Sequence, residues 1–221
     1  MSRPPTIAAI TIGQSPRPDL LDEIGSMVPA ARWIERGALD ALDDRAIAGL
    51  APDRDDFPLV TKLRSGRTAV VGEQAIRSLL QDAVDEAGAG ADLVLMLCSG
   101  PLDVRSRRPM LLPDRLLTAT VSALMTGGPV AVLTPSAEQM TAQSARWRAA
   151  GVDPLLFPAS PWGAADFAGI GAMARERGAA LVVLDCFAYS AAMKETVAAA
   201  SGLPTMRVRS LLGRVTAELL A

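Results

Sequence analysis

Cys98 and Cys186 are the only thiols in a chain of 221 residues that contains no histidine. That combination restricts the chemistry at once. Without imidazole there is no Ser-His-acid triad, no histidine base and no histidine metal ligand. Lys62 and Lys194 are the only lysines, so an imine mechanism has two candidates and no more. Two isolated thiols cannot build a structural zinc site, and no metal is expected. A disulfide between them is not expected in a chain of this size read as cytosolic. Acid–base work therefore falls to thiols, carboxylates, hydroxyls or arginines. A guanidinium cannot serve as a base near neutrality, whereas a thiol with an ordinary pKa of ~8.5 starts close to it.

The two cysteines sit in similar surroundings. AGAGADLVLMLCSG (87–100) and RERGAALVVLDCFA (175–188) form a weak internal repeat, each an apolar run that ends in a thiol. Both runs read as buried strands, and open α/β sheets present their ligand crevices at the carboxyl ends of strands. Two such ends suggest two similar lobes facing one cleft. A thiol pair there is a two-base device: one thiolate removes the proton from a carbon next to a carboxylate, and the other thiol protonates the opposite face. Buried cysteine as apolar filler is the plainer reading, and it weakens when both strand ends carry one. Asp185, just before Cys186, reads as a helix cap or an arginine partner rather than a catalyst.

Such a carbon acid needs its carboxylate held. The candidates are Thr11, Gln14, Ser15 and Arg17 in TIGQSPRP, Ser99 beside the first thiol, and Thr134 and Ser136 in LTPSAEQ. The stretch VRSRRPMLLPDR (104–115) adds Arg105, with Arg107, Arg108 and Arg115 close behind it in sequence. Guanidinium forks suit carboxylates, although loop arginines are as often solvated, and glycine, serine and proline after strands are ordinary turn chemistry.

The elements that would position these groups alternate regularly. Strands are expected at 6–12, 31–35, 92–97, 130–133, 154–157, 180–184 and 205–208, and a hairpin at 59–63 and 68–71 around Ser65-Gly66. Helices are expected at 73–87, 111–125, 138–150, 164–177, 189–200 and 211–220. The alternation defines an α/β fold with parallel sheets. It restarts after the arginine-rich stretch, dividing the chain near residue 115. A hydrophobic share of 50% excludes intrinsic disorder as the main state. Acids and bases nearly balance, 24 against 22, and only 4% of residues are aromatic, so no nucleic-acid partner is expected. No apolar run approaches the ~18 residues of a membrane span, and the first residues lack a signal-peptide core. The expected location is cytoplasmic, away from membranes.

Several blocks closely resemble the AroM family: TIGQSPRPDL (11–20), FPLVTKLRSGRTAVVGE (57–73), DLVLMLCSG with RSRRPMLLPDRLL (92–117), and LVVLDCFAYS (181–190). The resemblance runs along nearly the whole chain. That family is in turn similar to the aspartate/glutamate racemase superfamily. The resemblance implies two pseudo-symmetric flavodoxin-like lobes, with the chain's end returning to the first: 1–115 plus 209–221, and 116–208. It also implies one catalytic cysteine per lobe and no cofactor, and Cys98 and Cys186 match those positions by strand-end context. The racemases usually carry Asn-Thr after the first cysteine and Thr after the second. Here Ser99-Gly100 and Phe187-Ala188 stand there, so Ser99 is the hydroxyl retained. The function expected is a cofactor-independent racemase or epimerase of an amino acid or similar small carboxylate. Alternatives are a thiol-dependent isomerase or decarboxylase of a dicarboxylate, and a non-catalytic small-carboxylate-binding protein. Homo-oligomerisation is left open.

Overall fold

The computed structural model describes residues 3–220. In chain order the elements are β1 (Thr6–Thr11), α1 (Pro18–Met27), β2 (Arg32–Gly37), α2 (Asp44–Ala48), β3 (Pro58–Lys62), β4 (Thr68–Gly72), α3 (Glu73–Gly88), β5 (Leu93–Met96), β6 (Met110–Leu111) and α4 (Pro113–Leu124). They continue with β7 (Pro129–Thr134), a 3-10 turn (Ala137–Gln139), α5 (Met140–Ala149), β8 (Asp153–Pro158), α6 (Phe167–Glu176), β9 (Leu181–Leu184), α7 (Ala191–Ser201), β10 (Thr205–Arg207) and α8 (Val208–Leu220).

The chain forms two α/β lobes. One runs to Asp114 and takes up the chain again from Leu212; the other is Arg115–Leu211. The first lobe holds a parallel sheet in the order β2-β1-β5-β6. The second holds a parallel sheet in the order β10-β9-β7-β8. Read from β8, the second order is the first again: β7 stands for β1, β8 for β2, β9 for β5 and β10 for β6. This flavodoxin-like path makes the sequence repeat a repeat of topology. β5 and β9 are interior strands buried at every residue, which is why both read as unbroken apolar runs. Helices flank the strands, and residues such as Ile7, Ile10 and Leu95 are fully enclosed. Truncating one of these to alanine costs about 2–5 kcal/mol.

A third, two-stranded sheet is the antiparallel hairpin β3–β4, which pairs with neither parallel sheet among the described residues. Its turn includes Gly66 at φ +83°, a backbone that favours glycine. α3 follows it directly. Gly72 brings no capping side chain, and Asp56 accepts from the N–H groups of Gln74 and Ala75 instead.

One helix is added to the sequence reading and two helix starts are corrected. Residues 18–27, which carried no assignment, form α1, where Pro18 occupies the first turn and its missing N–H costs nothing. The helix expected from 111 starts at Pro113, because Met110 and Leu111 pair with Val94 and Leu95 as a short strand. The helix expected from 189 starts at Ala191, because Ser190 accepts the Met193 N–H as its N-cap. No helix of the described residues is long and apolar enough to cross a membrane.

Candidate active site

In the first lobe, Cys98 stands two residues beyond the end of β5 and is half-buried. Leu97 extends the ladder by one bond, donating its N–H to the Ile10 carbonyl at 2.7 Å. The chain then turns, and the Gly100 N–H donates to the Cys98 sulfur at 3.3 Å. A backbone donor on sulfur favours the thiolate. Ser99 is buried beside it.

In the second lobe, Cys186 stands two residues beyond the end of β9 and is also half-buried. Asp185 repeats the role of Leu97, donating its N–H to Leu133 at 3.0 Å. Its carboxylate is fully enclosed and takes up the Arg146 guanidinium and the Trp147 indole N–H, the latter at 3.1 Å. Gln143 orients Arg146 through Nε at 2.7 Å. Asp185 is therefore an arginine partner that ties α5 to the approach to Cys186. Beyond the thiol, Arg209 donates to the Phe187 carbonyl at 2.8 Å and Arg207 to the Tyr189 carbonyl at 3.0 Å. Two buried cations thus hold the loop that carries the thiol. Tyr189 donates its hydroxyl to Ala159 at 2.6 Å. Burial, reinforced by negative charge at Cys186 and Asp185, raises its pKa far above the usual phenol value, so Tyr189 remains a neutral donor.

The loop after β1 is knitted into its own lobe. The Gln14 amide donates to the Leu39 and Leu42 carbonyls and accepts from the Arg64 N–H. Ser15 donates both N–H and hydroxyl to Asp40, each at 2.7 Å. Arg17 forks onto Asp19 at 2.8 Å and donates its N–H to Glu35. Asp40 also accepts from the Gly37 N–H and from Arg64, making it the hub of this loop. Thr11 and Thr134 occupy equivalent places at the ends of β1 and β7. Both are buried; Thr11 accepts from the Gly13 N–H and Thr134 donates to Gln139. Ser136 holds the Glu138 carboxylate, whose pKa is lowered first by its own backbone N–H and then by that hydroxyl.

The arginine stretch leaves the thiol behind. Residues 99–109 run from the carboxyl end of β5 back toward its start, where the Pro109 carbonyl accepts the Val94 N–H. Arg107 and Arg108 line a recess with Gly88 and Ala89 at the carboxyl end of α3. Arg105 lies on the flank of α3, its backbone clamped by the Gln81 amide and its side chain exposed. The sequence reading missed Asp40, Arg64, Arg146, Arg207 and Arg209, each of which works through contacts distant in sequence. No group of three acidic or cysteine side chains gathers at metal-binding spacing among the described residues.

The parallel lobes with matching strand orders are those of the aspartate/glutamate racemase fold, and solved structures bear this out. The chain is similar to an unliganded arylmalonate decarboxylase (TM-score 0.59, 13% identity, 98% of this chain and 92% of that one). It is similar to a glutamate racemase from Aquifex pyrophilus (TM-score 0.57, 11% identity, 98% and 84%). It is also similar to the maleate isomerase Iso from Pseudomonas putida S16 (TM-score 0.52, 13% identity, 97% and 93%). At these identities the likeness is one of fold. The family described as AroM protein matches residues 7–220, and the chain belongs to that family. No curated protein sequence matches it.

Proposed function

We propose that this protein is a cofactor-independent racemase or epimerase of an amino acid or similar small carboxylate, with Cys98 and Cys186 as its acid–base pair. One observation carries the reading. In each lobe a half-buried cysteine stands two residues past the same interior strand, in a chain with no other cysteine and no histidine. The thiolate of one removes the α-proton, leaving an enediolate on the carboxylate. The thiol of the other returns a proton to the opposite face and becomes the thiolate for the reverse reaction. The fold shared with proteins named as a racemase, an isomerase and a decarboxylase supports chemistry at a carbon next to a carboxylate.

A second reading follows from the proteins that share the fold, which include one named as a maleate isomerase and one named as an arylmalonate decarboxylase. It is a one-thiol isomerase or decarboxylase of a dicarboxylate. Incubation in deuterated water with D- and L-amino acids, hydroxy acids and dicarboxylates separates the two. The racemase reading predicts α-deuterium together with loss of optical rotation for one compound. Isomerisation or decarboxylation of a dicarboxylate, abolished by substituting one of the two cysteines and kept on substituting the other, contradicts it and selects the second reading.

A further inference from the structure

The hairpin β3–β4 turns a buried face onto the ends of β1 and β5. Side chains alternate along a strand, and Leu59, Thr61 and Leu63 share that face at 2%, 3% and 6% exposure. Leu59 lies over Gly100: a methyl built there would meet its Cδ2 at 2.5 Å and the Cys98 sulfur at 3.5 Å. Thr61 lies over Gly13, where a methyl would fall 2.1 Å from its hydroxyl oxygen. Both glycines are thus required by the close approach of the hairpin. At its tip Arg64 clasps Ser15 and Asp40, contacts that remain partly open to solvent.

Thr61 is out of place in this stripe. Its hydroxyl has no hydrogen-bond partner among the described residues, while Gln14, Ser15 and Asp40, which bind Arg64 at the hairpin tip, are all paired. Valine has nearly the same shape and would bury there without that penalty. A desolvated donor over Gly13, two residues along the same strand face from the Leu59 that packs beside Cys98, has the chemistry to hold an anionic oxygen.

We propose that Thr61 is a ligand-binding residue: a carboxylate entering beside Cys98 lifts the hairpin from Gly13 and takes the hydrogen bond of the Thr61 hydroxyl. The hairpin is then a lid whose underside reads the ligand, with Leu59 against its apolar part. This inference rests on the carboxylate chemistry proposed above, and it adds a residue on a separate element from either thiol.

The test compares wild type, Thr61→Val and Thr61→Ser. The ligand-free Tm is measured for each, together with calorimetric affinity for malonate, maleate, and both enantiomers of aspartate and glutamate. Thr61→Val should raise the ligand-free Tm by about 2–4 °C, since an unpaired hydroxyl is removed. It should weaken the best-bound carboxylate about tenfold to a hundredfold, and Thr61→Ser should hold affinity within a few-fold. A lower Tm in Thr61→Val, or affinity equal to wild type, overturns the assignment. So does a wild type that binds none of the six compounds. Thr61-dependent binding without any α-hydrogen exchange leaves the assignment standing and removes the racemase reading. Exchange at wild-type rate in Thr61→Val does the reverse.

Discussion

Asp185 shows how a charge next to a catalytic candidate can be structural. Its carboxylate is enclosed and satisfies the Arg146 guanidinium and the Trp147 N–H, both from α5. Breaking a buried pair by removing one partner leaves the other charge uncompensated, at a cost of about 3–5 kcal/mol. Asp185→Ala should therefore lose about that much stability in urea unfolding, and a loss under ~1 kcal/mol would show that the pair is not buried in solution. The adjacent Cys186 is uncharged and only partly buried, so its replacement by serine should cost less stability. Strand alternation made this division of labour legible from sequence, since it sets neighbouring side chains on opposite sides. The identity of the partner was not legible, because Arg146 lies on another helix.

The strands and most helices were readable because their periodicities are local. β5 and β9 announce themselves as apolar runs, and α3 as a helical face. α1 was hidden by Pro16 and Pro18, which read as loop although one of them begins a helix. The arginine stretch runs back along β5 although it follows Cys98 in sequence. Closeness to Cys98 in sequence is not closeness in space, since an extended chain covers about 3.3 Å per residue and ten residues exceed the length of a four-residue strand. Asp40 was invisible because its partners come from β2, the β1 loop and the hairpin tip. In the ligand-free protein these bonds latch the hairpin tip to the loop after β1. Asp40→Ala strips acceptors from Ser15, Gly37 and Arg64 together and should cost about 1–3 kcal/mol. It should also speed hydrogen exchange across 13–17 and 61–66, measurable by mass spectrometry. Exchange unchanged in both segments would mean that Asp40 is not their common anchor.

At the scale of the whole molecule, the two lobes repeat one strand order, and each ends its interior strand in one thiol. That duplication was legible in the repeat at 87–100 and 175–188, and the family match over residues 7–220 agrees with the resemblance carried by the longer blocks. The substrate was not legible, because the residues that grip a ligand are scattered over loops whose polar groups also serve the lobe itself. If both thiols act, each alone can still remove and return the proton on its own side, but neither alone can invert the carbon. The decisive measurement is chiral analysis, in deuterated water, of the compound that wild type racemises, using Cys98→Ser and Cys186→Ser. The account predicts that each variant keeps its fold by circular dichroism and loses inversion by at least about a thousandfold. It also predicts that the two variants exchange the α-proton of opposite enantiomers. Inversion persisting near the wild-type rate in either variant would contradict it.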